Sequence, residues 1–219
     1  MFTPLPRTFY EPAADVVAPR LLGHYLIRNT PEGPCGGPIV ETEAYLFDDP
    51  AAHSFRGETP RNRVMFGPPG HAYVYFIYGN HYCINAVCRP RGHGEAVLIR
   101  ALEVQWGEPF MRARRPAATP RELTNGPGKL CQALDIGRLL DGADCCDPAS
   151  PLWIARHPGR EEFLAQRGPV ITTTRIGLTK AADQPLRFYL AHSPCVSKAP
   201  FTAPWAPPGQ RPYRRGRRG

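Results

Sequence analysis

Two strand-forming segments that meet at a Gly-Asn pair constrain the fold of this chain most strongly. Residues 71–78 read HAYVYFIY and residues 81–88 read HYCINAVC, on either side of Gly79 and Asn80. Aromatic and β-branched residues favour strands, and a Gly-Asn pair favours a tight turn between antiparallel strands. The sequence therefore predicts a β-hairpin at this position.

Short strands and helices are predicted along the rest of the chain. The 27 prolines among 219 residues favour many loops and few long helices. Strands and helices follow one another without regular alternation, which favours an α+β domain over a doubly wound parallel sheet. Strands are predicted at 24–28, 38–45, 95–103, 152–155, 169–177 and 185–190, helices at 11–22, 60–65, 106–115 and 127–136, and turns over 29–37.

The charge of the chain points to a polyanionic partner. The formal net charge is +8 and the pI about 9.3, values that favour nucleic acid, with a merely basic surface as the alternative. No apolar run approaches the roughly 20 residues of a membrane span. Seven cysteines without a framework spacing, and no segment shaped like a signal peptide, predict reduced thiols in the cytoplasm.

A change of composition near residue 200 predicts a domain boundary. The chain becomes rich in proline and arginine there and ends in RPYRRGRRG. Such a segment cannot bury a core, so we expect a domain over 1–200 and a disordered basic tail over 201–219. The tail would hold DNA as a flexible electrostatic arm, or would be an ordinary solvated terminus.

Two glutamates in one predicted strand are the first candidates for chemistry. Glu41 and Glu43 lie two residues apart and therefore share a face. They could belong to a solvated edge strand, or one of them could activate water for hydrolysis of a glycosidic bond. With Asp48 and Asp49 they could instead hold Mg²⁺ in a nuclease.

An aromatic residue at the hairpin tip is a candidate DNA contact. Tyrosines in a sheet usually pack in a core, but Tyr78 comes directly before the turn, where it could enter a stack of bases. His53 follows an acidic loop and could be structural or could contact a ligand. The spacing of His81, Cys83 and Cys88 does not match a zinc site, and no metal or other cofactor is expected.

Two basic residues are candidates for contacts with anions. Arg100 ends the apolar strand VLIRALE, where its charge needs an anion such as a catalytic carboxylate. Lys129 lies at a predicted helix start, where it could meet a phosphate or remain solvated.

Several motifs together resemble the 3-methyladenine DNA glycosylase family of the alkyladenine type. The resemblance runs in order from about residue 8 to 197, and it implies one α+β domain on a curved, largely antiparallel sheet with a hairpin that enters the minor groove of DNA. The motifs are IVETEAY, AAHS, TPRN, MFGPPGHAYVYFIYG, VLIRALE, NGPGKLCQAL, TRIGL and PLRFYLAHSPCVS.

The resemblance implies a role for individual side chains. It selects Glu43 as the general base, with Arg100 and the carbonyl of Ile176 helping to hold the attacking water. Tyr78 would insert into the base stack and Lys129 would contact a phosphate. The flipped base would be gripped by Tyr45, His53 and Tyr75, with Asn85 at the pocket floor.

Some residues depart from the family pattern. Asn80 stands where relatives often carry an apolar residue, and Pro19 interrupts the first predicted helix. A two-residue hairpin loop would also place Tyr75 and Asn85 on opposite faces, so a shared pocket requires a bulge or a longer loop.

The resemblance thus implies a monomeric enzyme that acts on double-stranded DNA. It would flip a damaged purine such as 3-methyladenine, 7-methylguanine or hypoxanthine and hydrolyse its glycosidic bond. Strand cleavage usually needs an amine nucleophile, and no lysine precedes Lys129, so a monofunctional glycosylase is expected. The alternatives are a metal-dependent nuclease and a noncatalytic DNA-binding module.

Overall fold

A curled, eight-stranded antiparallel sheet forms the centre of the protein, which the computed structural model describes over residues 2–77 and 79–197. Six strands follow the order β3-β4-β5-β2-β1-β6, while β8 pairs with both β2 and β7. The predicted α+β class is therefore confirmed. The strands are β1 Tyr25–Thr30, β2 Gly33–Tyr45, β3 Ala72–Ile77, β4 His81–Cys88, β5 Glu95–Leu102, β6 Leu152–Ala155, β7 Val170–Thr173 and β8 Arg187–Leu190.

The long strand β2 runs through the middle of this sheet and bends within it. Its first half pairs with β1, and its second half pairs with β5 and β8. The register against β5 shifts on both sides of Glu41. Such irregularities bend a strand and increase its twist, so β2 curls the sheet at the position of the two glutamates.

The first part of β2 was predicted to be a turn, and that prediction is wrong. Glycine and proline usually mark turns, but here Gly36 and Gly37 allow neighbouring backbones to come unusually close. A Cβ atom at Gly37 would lie 1.9 Å from the carbonyl oxygen of Glu103, and one at Gly36 would lie 2.0 Å from that of Leu26. The glycines therefore serve strand packing rather than chain reversal.

Short helices cover one face of the sheet. The first α-helix begins later than predicted, and its Ala14 amide donates to the Glu95 carboxylate across 2.9 Å. Pro19 lies inside this helix without dividing it, and the helix predicted at 60–65 is a 3-10 turn over Arg63–Phe66. The α-helices are α1 Ala14–Leu21, α2 Glu108–Arg114, α3 Pro127–Ala133 and α4 Arg160–Arg167, of which α4 was not predicted.

The two faces of the sheet carry different side chains. Val74 and Ile84 of the hairpin belong to the main aliphatic core, which includes residues of α1 and α3. Tyr73, Tyr75 and Cys83 belong instead to a smaller aromatic cluster with Met65, Phe66, Val87, Ala96 and Leu98. The alternation of a strand thus separates a structural face from an aromatic face.

The predicted hairpin is present, and its loop is longer than two residues. Ile77 pairs with His81, so three residues lie between the strands. This register places Tyr75 opposite Cys83 and Tyr73 opposite Asn85, which brings Tyr75 and Asn85 to the same face.

Two parts of the predictions lie outside the described residues. They are the predicted insertion of the Tyr78 side chain into DNA and the predicted basic tail over 201–219. Within the described ranges, no helix combines the length and apolar character needed to cross a bilayer.

Replacing Gly37 should show how tightly β2 is packed. We expect Gly37→Ala to reduce the free energy of unfolding by about 3 kcal/mol, because the new methyl group meets backbone atoms that cannot move alone. Urea denaturation of both proteins measures the difference. Gly159→Ala is the control, since its methyl group would meet the His157 ring at an ordinary 3.7 Å. Equal stability of the two variants would contradict the prediction.

Candidate active site

A cavity of about 150 Å³ opens on the aromatic face of the sheet. An apolar cavity of roughly this size, 150 Å³, takes up benzene, so the space suits a flat aromatic ring. Six predicted site residues line the cavity, namely Tyr45, His53, Tyr75, Asn85, Arg100 and Ile176. Its other lining residues are Ala51, Met65, Tyr73, Ile77, Cys83, Leu98, Pro127, Gly177 and Leu178.

Three aromatic rings in this cavity hold one another in place. The His53 ring meets Tyr75 edge-on at a centroid distance of 4.4 Å, and Tyr75 stacks on Tyr73 at 5.3 Å. His53 Nδ1 lies 3.0 Å from the Tyr73 hydroxyl oxygen, within hydrogen-bonding distance. Burial, and then the charge of Arg61, lower the pKa of His53, which favours a neutral ring.

The carboxylate of Glu43 lies directly behind the cavity wall and is fully buried. Its Oε1 accepts a hydrogen bond from the Ile176 amide at 2.9 Å and forms an ion pair with Arg100 Nη1 at 3.1 Å. Its Oε2 accepts a bond from the Tyr45 hydroxyl at 2.9 Å. Burial, and then the negative charge of Glu43, raise the pKa of Tyr45, so this phenol stays protonated and donates.

The neighbouring Glu41 has a different environment, although it shares the face of Glu43. Its Oε1 accepts bonds from Arg100 Nε, Arg187 Nε and the Ser197 hydroxyl, at 2.9, 2.7 and 2.8 Å. Its Oε2 accepts the Ser197 amide at 2.6 Å. Within the described chain Glu41 thus accepts four hydrogen bonds, whereas Glu43 accepts two and forms an ion pair with Arg100. Neither carboxylate is among the described residues that line the cavity. The central position of β2 also excludes the solvated edge strand considered from the sequence.

Arg100 forms ion pairs with both glutamates. Its Nε contacts Glu41 and its Nη1 contacts Glu43, and only 5% of the residue is exposed. Burial lowers the pKa of Arg100, but the carboxylates of Glu43 and Glu41 outweigh it, so the pKa is raised overall. The guanidinium therefore stays charged between the two acids.

A second buried ion pair, which the sequence analysis missed, supports the cavity from behind. Arg175 binds Asp49 and the carbonyl oxygen of Ala44, and its guanidinium lies 4.7 Å from the centroid of the Tyr45 ring. Arg175 directly precedes Ile176, whose amide binds Glu43. The pair thus joins the loop before His53 to the loop after β7, and the Tyr45 ring packs against it.

The acidic side chains considered as Mg²⁺ ligands are not brought together. Glu41, Glu43 and Asp49 each contact an arginine. Within residues 2–77 and 79–197, no group of three or more His, Cys, Asp or Glu side chains is placed to hold a metal ion.

Of the two remaining predicted residues, Asn85 lines the cavity and Lys129 does not. The Asn85 amide donates to the Tyr73 carbonyl oxygen at 3.1 Å. Lys129 lies in the first turn of α3 and donates to Asn125 Oδ1 at 2.9 Å, while nearby Pro127 lines the cavity. Cys83 was missed as a lining residue, although a three-residue hairpin loop would have placed it opposite Tyr75.

Comparison with known proteins identifies the family of this chain. The family model described as methylpurine-DNA glycosylase matches residues 8–194. A relative from Methanoculleus marisnigri is 53% identical over 194 residues, which cover 89% of this chain and 98% of the relative. A relative from Rhodopseudomonas palustris is 51% identical over 197 residues, covering 90% and 89% of the two chains.

A third relative, from Carboxydothermus hydrogenoformans, is 48% identical over 195 residues and covers 89% of this chain and 98% of its own. All three are named as candidate 3-methyladenine DNA glycosylases. The chain therefore belongs to the methylpurine-DNA glycosylase family and is a DNA glycosylase, a hydrolase that removes damaged bases.

Proposed function

We propose that the protein flips an alkylated or deaminated purine out of duplex DNA and hydrolyses its glycosidic bond with a water molecule that Glu43 activates. Substrates would include 3-methyladenine, 7-methylguanine and hypoxanthine, and the product would be an abasic site. The observation that carries the proposal is the buried Glu43 carboxylate, which is held by Arg100 and the Ile176 amide behind an aromatic cavity.

The proposed reaction is a displacement at C1′ of the flipped nucleotide. The water oxygen forms a bond to C1′ while the bond from C1′ to the base nitrogen breaks and its electron pair leaves with the base. Glu43 takes the proton from the water, as a general base does. Within the described chain, Oε2 accepts one bond, from Tyr45, so this oxygen keeps capacity for a water. We further propose that the Ile176 carbonyl helps to hold that water.

The cavity walls supply the recognition that we propose for the base. Tyr45, Tyr75 and His53 would contact the flipped base, since flipped bases are stacked between aromatic side chains. A neutral imidazole has one donor and one acceptor nitrogen, and the contact with Tyr73 uses Nδ1. His53 Nε2 is therefore left for the edge of a base. Asn85 would restrict the pocket floor.

The proposed partner is double-stranded DNA, bound by a monomer in the cytoplasm. The net charge of +8 supports binding to phosphates. Tyr78 would fill the gap left in the base stack, and Lys129 would contact a phosphate. No lysine is among the described residues that line the cavity, which supports a monofunctional enzyme without strand cleavage.

Removing the proton acceptor should abolish excision. In Glu43→Gln the amide keeps the shape of the side chain but cannot act as a base, so single-turnover excision from a hypoxanthine-containing duplex should fall by about 10²–10⁴-fold. Binding to a duplex with an abasic-site analogue should persist, because flipping needs no base. Residual excision above about one tenth of wild type would refute the assignment.

Glu103→Gln provides the matched control for this variant. Glu103 also pairs with an arginine, since Arg167 Nε lies 2.8 Å from its Oε1, but within the described chain it has no contact with the groups that hold Glu43. Excision by Glu103→Gln should remain close to that of the wild type.

Chelation should separate the proposed hydrolase from a metal-dependent nuclease. Because a carboxylate already supplies water activation, base release should be unchanged in excess EDTA. Chromatography of the released bases measures the effect. Loss of activity that Mg²⁺ restores would favour the nuclease, and binding without any base release would favour a noncatalytic module.

A further inference from the structure

Glu41 and Arg187 form a buried ion pair directly behind Arg100. The Arg187 Nε lies 2.7 Å from the Glu41 Oε1, the same oxygen that Arg100 Nε reaches at 2.9 Å. Glu41 is completely buried, and Arg100 and Arg187 are 5% and 7% exposed. Arg100 therefore pairs with Glu43 through Nη1 while its Nε pairs with Glu41.

Ser197, at the end of the described chain, forms hydrogen bonds with Glu41, Arg100 and Arg187. Its hydroxyl donates to Glu41 Oε1 at 2.8 Å and accepts from Arg100 Nη2 at 3.0 Å. Its amide donates to Glu41 Oε2, and its carbonyl oxygen accepts from Arg187 Nη2 at 2.7 Å. Ser197 lies beyond residue 194, where the match to the family model ends.

The charges in this group are balanced. The carboxylates of Glu41 and Glu43 face the guanidinium groups of Arg100 and Arg187 in a site from which water is largely excluded. Interactions between charges are stronger there than at the surface. Loss of one charge from the outer pair must therefore alter the potential at Glu43.

We propose that Glu41 and Arg187 are positioning residues that set, through Arg100, the pH at which Glu43 can act as a base. The inference rests on the proposed role of Glu43. Glu41 adds a negative charge to the surroundings of Glu43 and shares Arg100 with it. Arg187 adds a positive charge, and Ser197 forms hydrogen bonds with both Glu41 and Arg187.

Other groups around Glu43 do not explain such an effect by themselves. Tyr45 and Cys83 have pKa values raised chiefly by burial, which keeps both neutral near pH 7. Arg175 is compensated by Asp49. The titratable or charged groups that face Glu43 are Glu41 and Tyr45 on β2, Cys83 on β4, Arg100 on β5, Arg187 on β8 and Arg175 after β7.

Two single variants should shift the pH dependence of excision in opposite directions. The acid limb of the single-turnover rate, measured on a hypoxanthine-containing duplex, reports the essential base. In Glu41→Gln an uncompensated positive charge favours ionised Glu43, so the limb should move to lower pH by about one unit. In Arg187→Gln the excess charge is negative, so the limb should move to higher pH by about one unit.

The double variant Glu41→Gln/Arg187→Gln tests charge balance directly. It removes one charge of each sign, so its acid limb should return toward that of the wild type. This variant and Arg187→Gln keep the test decisive if Glu41→Gln fails to fold. A purely structural role would lower stability or rate in every variant without reversing the shift.

Glu103→Gln is again the matched control, because Glu103 accepts bonds from Arg167 and from the Ser193 hydroxyl in a similar triad away from the cavity. Its acid limb should coincide with that of the wild type. An unmoved limb in Arg187→Gln, or a limb in the double variant that stays as far displaced as that of Arg187→Gln, would overturn the inference. If Glu43→Gln were inactive at the same time, the proposed function would stand while this inference fell.

Discussion

The guanidinium of Arg100 contacts two buried carboxylates at once, and much of the architecture serves to make that contact possible. Placing four charges in the interior is costly unless each has a close partner and hydrogen bonds. Strands β2, β5 and β8 supply Glu41, Arg100 and Arg187 to one point, and the bulge in β2 lies there. The irregularity that bends β2 therefore lies at Glu41, the residue that pairs with both buried arginines.

The aromatic cavity depends on the same strands through a different set of contacts. Tyr45 continues β2 beyond Glu43 and donates its hydroxyl to that carboxylate. Arg175 packs behind the Tyr45 ring and leads into Ile176, whose amide completes the bonds to Glu43. The cavity wall and the groups that hold the Glu43 carboxylate thus share Tyr45 and Ile176.

The fold could be predicted where local signals agreed with the final structure. The hairpin of β3 and β4 followed from its aromatic and β-branched residues, and Gly23, with φ of 81°, ends α1 as predicted. The start of β2 could not be predicted, because the reason for Gly36 and Gly37 lies in backbones distant in sequence. The start of α1 likewise depends on Glu95, a residue 81 positions away.

Only part of the candidate site, like only part of the fold, could be predicted from the sequence. Six of the described residues that line the cavity were found through the family resemblance, whereas spacing alone could not choose between Glu41 and Glu43. Their different environments come from Arg187 and Ser197, which are far away in sequence, and from a bulge that no local pattern indicates. The Asp49–Arg175 pair was missed for the same reason, since its members are 126 positions apart.

The contact between Glu41 and Ser197 also has a consequence for the order in which the protein is made. The two residues are 156 positions apart, so a ribosome completes nearly all of the domain before the Ser197 amide can reach the Glu41 carboxylate. Until then Glu41 lacks two of its donors, and burial of its charge is correspondingly unfavourable. In the nascent chain Glu41 therefore gains its full set of bonds only after residue 197 has been made.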